Sequence, residues 1–142
     1  MQPLKFEHVG VAVENLQRSI DSYRELFGYR VLSGPFRDAI QRVTVCFLGT
    51  GQAHDVVIEL VAALTDDSPV KQLLAKGGGA YHVCYGVADI EQAVADFRTK
   101  GSLIVVQPVP AIAFAMRRIA WLYTPDRQLV ELLEDPSPRN CA

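Results

Sequence analysis

Two histidines and two glutamates recur at a nearly constant offset in this 142-residue chain: His8 precedes His82 by 74 residues, and Glu59 precedes Glu131 by 72. Within each half, the histidine leads its glutamate by 51 and 49 residues. Two imidazoles and two carboxylates suit a borderline-to-hard divalent ion such as Co, Ni, Zn, Mn or Fe, and a set that leaves positions open for water or substrate is the catalytic kind. The glutamates carry the sharper signal. Glu59 is flanked by Val56, Val57, Ile58, Leu60 and Val61, and Glu131 by Leu129, Val130, Leu132 and Leu133. A carboxylate buried in such a run needs a compensating partner, because the unpaired charge is costly. Either glutamate alone would fit a half-exposed strand, and a lone strand histidine is more often structural. The recurrence of both at matching places favours ligands. His54, in Gly51-Gln52-Ala53-His54-Asp55, has no mate and reads as surface loop.

The elements that must position these four residues can be read from periodicity. His8–Val13 reads as a strand rich in β-branched residues. Leu16, Ile20, Tyr23, Leu26 and Phe27 recur at helical spacing, with Gln17, Arg18, Asp21, Arg24 and Glu25 between them and Gly28 as a C-terminal stop. Strands follow at Tyr29–Leu32, Arg42–Leu48 and Val56–Val61, separated by the turn signals Gly34-Pro35 and Gly49-Thr50-Gly51. A short helix is expected over Ser68–Ala75, with Ser68 as N-cap and Pro69 at its first position, before Gly77-Gly78-Gly79. The pattern then restarts: Tyr81–Val87, a helical stripe of Ile90, Ala93, Val94 and Phe97 ending at Gly101, then strands at Leu103–Val106, Arg118–Tyr123 and Gln128–Leu133. In each half the histidine is expected to begin the first strand and the glutamate to lie in the last.

The fold class is therefore α+β: two tandem βαβββ modules, residues 6–64 and 80–134, joined by a linker with a short helix at 65–79 and followed by a tail at 135–142. Together they form a single domain over 1–142. If the halves pack about a pseudo-two-fold axis, symmetry carries one His–Glu pair onto the other, and curved mixed sheets enclose a metal cleft.

Composition excludes several function classes. With 14 Lys and Arg against 16 Asp and Glu, a net charge of -2 leaves no footprint for a polyanion, so no nucleic acid is expected. No apolar run reaches the roughly 20 residues of a membrane span, so no membrane role is expected. The N-terminal residues lack an export pattern and the three cysteines lack framework spacing, which reads as a cytoplasmic, reducing setting. Cys46 and Cys84 fall in apolar runs as small buried hydrophobes, and Cys141 falls in the tail.

The His8, Glu59, His82, Glu131 set resembles the vicinal oxygen chelate superfamily, which includes glyoxalases, bleomycin resistance proteins and dioxygenases. Leu16-Gln17-Arg18-Ser19-Ile20-Asp21 is similar to bacterial glyoxalase I. Thr65-Asp66-Asp67-Ser68-Pro69-Val70, Leu73-Leu74-Ala75-Lys76-Gly77, His82 and Val87-Ala88-Asp89-Ile90 look more like methylmalonyl-CoA epimerase. The resemblance implies a metal-dependent isomerase or lyase that moves a proton next to a carbonyl, with Glu131 and Glu59 as candidate proton carriers. It implies a small-molecule substrate, a CoA or glutathione thioester or hemithioacetal, and a homodimer is expected. A lactoylglutathione lyase of the glyoxalase I type is the second reading. A metal-free, resistance-type binding protein is the third, and the presence of all four ligand candidates argues against it. A ring-cleaving dioxygenase would carry His at the position of Glu59.

Two departures bear on the substrate. The epimerases have glutamine at the position of Glu59 and a catalytic glutamate where Thr44 stands; a threonine cannot take the proton. Their Gly-His-Gly-type loop is replaced by Ala111-Ile112-Ala113-Phe114-Ala115-Met116, followed by Arg117-Arg118. Adjacent strand residues point to opposite faces, so at most one arginine faces the site, where its planar fork would suit a substrate anion. Arg118, Trp121 and Phe114 are the candidate substrate contacts, in a dry cleft shaped by Phe47, Phe114, Trp121 and Tyr123.

Overall fold

The computed structural model describes residues 3–136. They divide into two compact units, one of residues His8–Tyr81 and the other of the remaining described residues.

The first unit runs β1 (Lys5–Ala12, from His8 onward), α1 (Leu16–Phe27), β2 (Arg30–Asp38), β3 (Val43–Gly49), β4 (Ile58–Ala63) and α2 (Lys71–Ala75). Its strand order is β2-β3-β4-β1. β1 runs parallel to β4, with Val9 opposite Ile58 and Ala12 opposite Val61, while β3 is antiparallel to β4 and β2 to β3. Asn15 caps α1 by accepting from the Arg18 amide at 2.9 Å, and Gly28 ends it with φ of 70°, a conformation that favours glycine. The face of α1 that carries Ile20 packs on Cys46, Leu48 and Leu60. Period-two alternation therefore leaves the neighbours of these strand residues, Val45, Phe47, Glu59 and Val61, on the opposite face of the sheet.

The second unit repeats this plan as β5 (Gly79–Val87), α3 (Ile90–Thr99), β6 (Leu103–Pro110), β7 (Arg118–Tyr123) and β8 (Leu129–Glu134), with a 3₁₀ turn at Ile112–Phe114. Its order is β5-β8-β7-β6, and β5 runs parallel to β8 as β1 does to β4. Asp89 caps α3 through the Gln92 amide at 3.0 Å. Ile90 and Val94 of α3 pack on Ala120, Leu122, Val130 and Leu132. Among the described residues no helix is long and apolar enough to cross a membrane.

Four readings of local structure need correction. β1 and β5 start earlier than the sequence pattern suggests, so His8 and His82 lie inside their strands rather than at the beginning, which is why both are buried. Gly34-Pro35 does not turn the chain: β2 passes through it, with register shifts against β3 between Val31 and Phe36. Proline is tolerated there because β2 is the outer strand of its unit and has hydrogen-bonding demands on one side only. The short helix begins at Lys71, not Ser68. Ser68 and Val70 form a preceding turn, in which the Lys71 amide donates to the Ser68 carbonyl at 3.1 Å. Finally, β6 continues to Pro110, four residues past the expected end. Cys46 and Cys84 are buried, His54 sits in an exposed turn, and Cys141 lies outside the described residues.

Candidate metal centre

In the first unit His8 stands on β1 and Glu59 on the neighbouring β4. The register sets Gly10 opposite Glu59, so the histidine lies two residues before the glutamate's partner on the same face. Its Nε2 comes within 3.3 Å of Glu59 Oε1, and the two side chains are 1% and 7% exposed. In the second unit Cys84 is opposite Glu131, and His82 again lies two residues before it. His82 Nε2 comes within 3.6 Å of Glu131 Oε1, with side chains 1% and 3% exposed. The parallel first-to-last strand pairing is what makes this possible: it lays the two residues, some fifty positions apart in sequence, on adjacent strands with their side chains on one face.

The chemistry of each pair fits a metal. Burying a carboxylate without a compensating cation is unfavourable, and a divalent ion beside each imidazole would supply one. All four residues are of types that can ligate a metal, and all four are buried.

An aromatic ring covers each pair. Phe47, directly opposite Glu59 on β3, sets its ring edge-to-face on His8 at 5.5 Å between centroids and 72° between planes. Trp121, directly opposite Glu131 on β7, does the same to His82 at 4.7 Å and 83°. Both rings were legible in the sequence as cleft aromatics, but not as partners of the histidines. Their own offset of 74 residues, equal to that of the histidines, is the signal that would have shown it. Phe114 joins Trp121 against Cys84, Ala111, Ile119 and Leu133 on the same side of the second unit's sheet, whereas Tyr123 is largely exposed.

Arg118 does not join this face. It alternates with Ile119 and Trp121, so it stands on the side that carries α3, where it donates to Glu134 at 2.7 Å and to Glu91 at 2.9 Å. Hydrogen bonds from Arg118 hold the Glu134 carboxyl below the usual carboxylate range, and the same bonds raise the guanidinium value further. Arg117 donates to the carbonyls of Phe114 and Glu134 and lies 5.8 Å over the Phe114 ring. Thr44 is displaced from the expected base position by the same alternation. It is opposite Ala62 on the face of Cys46 and Leu48, which pack under α1, and not on the face of Glu59.

Comparison with known proteins places these observations. A family model described as the Glyoxalase/Bleomycin resistance protein/Dioxygenase superfamily matches residues 7–121. The mitochondrial methylmalonyl-CoA epimerase of Dictyostelium discoideum is 34% identical over 134 residues, covering 92% of this chain and 78% of that protein. An ethylmalonyl-CoA/methylmalonyl-CoA epimerase of Cereibacter sphaeroides is 30% identical, covering 90% of this chain and 96% of that one. Among solved structures, a variant of Streptomyces coelicolor methylmalonyl-CoA epimerase in complex with 2-nitronate-propionyl-CoA superposes with a TM-score of 0.79 at 27% identity, over 95% of this chain and all of that one. The fold and its repeated His–Glu pairs thus sit in a known context: the chain belongs to the glyoxalase/bleomycin resistance protein/dioxygenase superfamily.

Proposed function

We propose that His8, Glu59, His82 and Glu131 together hold one divalent metal ion, and that the protein is an epimerase acting next to the thioester carbonyl of a small branched acyl-CoA of the methylmalonyl type. The observation that carries this reading is the repeated register, in which each module sets a buried histidine two residues before the strand partner of a buried glutamate. The relatives named as acting on methylmalonyl-CoA and ethylmalonyl-CoA support the substrate class.

When bound, the ion supplies Lewis-acid stabilisation of the negative charge that develops on the substrate carbonyl oxygen. The remaining chemistry belongs to the chain. Epimerisation requires a proton to leave one side of the α-carbon and another to arrive on the opposite side, so two carriers are needed. With Thr44 on the α1 face, the carboxylates that stand beside the imidazoles are Glu131 and Glu59, one from each module. Each would swing away from its imidazole to take or return the proton. His8 and His82 stay in place as donors, held inside their strands. Trp121 and Phe114, packed with Ile119 and Leu133, offer an apolar wall that keeps water from the acyl group.

A second reading follows from one residue. Glutamate rather than glutamine at position 59 gives the ligand set that resembles glyoxalase I, and a lactoylglutathione lyase would use the same two carriers. A homodimer is the expected assembly, supported by the exposed apolar side chains Leu103 and Val105 on the outer strand β6. The deciding experiment combines elemental analysis with two substrates. One metal per chain and solvent deuterium entering the α-carbon of methylmalonyl-CoA are expected. Turnover of the methylglyoxal–glutathione hemithioacetal without exchange into methylmalonyl-CoA would favour the lyase, and metal-free protein that binds neither would overturn both.

A further inference from the structure

The repeated element is larger than a His–Glu pair. Phe47 and Trp121 are cross-strand partners of Glu59 and Glu131, stand on the same faces as them, and contact the rings of His8 and His82 nearly at right angles. The same strands show that packing alone does not require a ring there. Val45 and Ile119, two residues away on the same faces, are buried aliphatic side chains at matching positions of the two modules. An imidazole has a broad, soft torsion about its Cβ–Cγ bond, so strand placement fixes where the ring is but not how it is turned. An aromatic edge or face packed against it restricts that rotation, and edge-to-face pairs are favourable beyond the area they bury.

We propose that Phe47 and Trp121 are equivalent positioning residues, each locking the rotation of one metal-ligand histidine so that its Nε2 stays beside the glutamate of its own module. This rests on the metal reading given above. It makes the functional unit a trio of aromatic, histidine and glutamate spread over three adjacent strands, β3-β4-β1 in one module and β7-β8-β5 in the other. Residues that orient a ligand without touching the metal commonly change affinity by about 10- to 100-fold when removed.

The test is zinc affinity of the purified full chain, measured by competition with a chromophoric chelator, for wild type, Phe47→Leu, Trp121→Leu and Trp121→Phe. Roughly tenfold weaker binding is expected for each leucine variant. Trp121→Phe should stay close to wild type, because a ring is restored. Trp121 is the sole tryptophan of the chain, so zinc should also change the emission of wild type and fail to do so in His82→Ala. Melting of the metal-free proteins separates positioning from stability: the affinity loss should not follow the loss in melting temperature. Should Trp121→Leu fail to fold, Phe47→Leu reads the same claim in the other module. Leucine variants that bind zinc as wild type does, or a Trp121→Phe as weak as Trp121→Leu, would overturn the positioning role while leaving the metal site intact. Wild type that binds no zinc would defeat the metal reading itself.

Discussion

The two modules differ where β2 turns into β3 and β6 into β7. In the first, buried Asp38 accepts from the Gln41 amide at 3.0 Å and from the Gln41 side-chain amide at 3.0 Å, so a carboxylate closes the turn. In the second, Ala111 stands where Asp38 stands. Its backbone carbonyl accepts from the amides of Phe114 at 3.1 Å and Met116 at 2.9 Å. A side chain does in one module what the backbone does in the other, and the second turn thereby becomes apolar and carries Phe114 toward Trp121. The His–Glu–aromatic trio, by contrast, is kept in the same register in both. The modules differ in what surrounds the His–Glu pairs, not in how the pairs are held, which is the pattern expected if the trio is under a shared chemical constraint and the turns adjust the substrate.

The largest expected effect breaks the equivalence of the modules outright. His8→Ala and His82→Ala should each abolish stable metal binding, because removing one of four donors weakens chelation strongly and the two pairs serve one ion. Elemental analysis decides it. If the pairs were two independent sites, each variant would keep about half of the wild-type metal, and the single-ion proposal would fail.

Glu131→Gln and Glu59→Gln sharpen the comparison further. Each should retain much of the metal and lose epimerase turnover by about 100-fold or more, the usual range for loss of a positioned proton carrier. The signature lies in the stereoisomers. If each glutamate serves one side of the α-carbon, Glu131→Gln should still exchange the α-proton of one methylmalonyl-CoA isomer with solvent, and Glu59→Gln that of the other, as followed by proton NMR in deuterated buffer. Loss of exchange from both isomers in one variant alone would show a single carrier. Thr44→Glu, in turn, should add no activity, since its side chain shares a face with Cys46 and Leu48. A clear gain in turnover would mean that β3 adopts another register in solution.

Most of this architecture was legible in the sequence for a physical reason. The helices announce themselves by 3.6-residue periodicity, and α1 falls on the residues Leu16–Phe27 that the spacing gave. The offset of His8, Glu59, His82 and Glu131 is legible because both modules share one strand order and one parallel first-to-last pairing. What the sequence hid were faces and pairings. An edge strand such as β2 hides its length, because Gly34-Pro35 carries the composition of a turn without making one. Arg118 has the right type for an anion site, yet one step of alternation sends it to the other side of β7. The contact of Trp121 with His82 joins residues 39 apart in sequence, and only the strand register reveals it.

The smallest effect belongs to that misplaced arginine. Arg118→Gln removes donors to Glu134 and Glu91 on the α3 side of the second module, at the position that Thr44 takes in the first. The pair is partly exposed, so its contribution is screened and should be modest. The sign follows from Glu134, whose carboxyl value in the folded protein lies below its ordinary one, chiefly through hydrogen bonds from Arg118. A lowered folded value means stability that is present above the ordinary carboxylate range and is lost as pH falls through the folded value. Wild type and Arg118→Gln should therefore differ in melting temperature at neutral pH and low salt, and converge both in high salt and at acid pH. The Michaelis constant for an acyl-CoA substrate should not change, because the guanidinium faces α3 and not His82 and Glu131. A several-fold rise in that constant with an unaltered melting curve would return Arg118 to the substrate and overturn its assignment to the structural face.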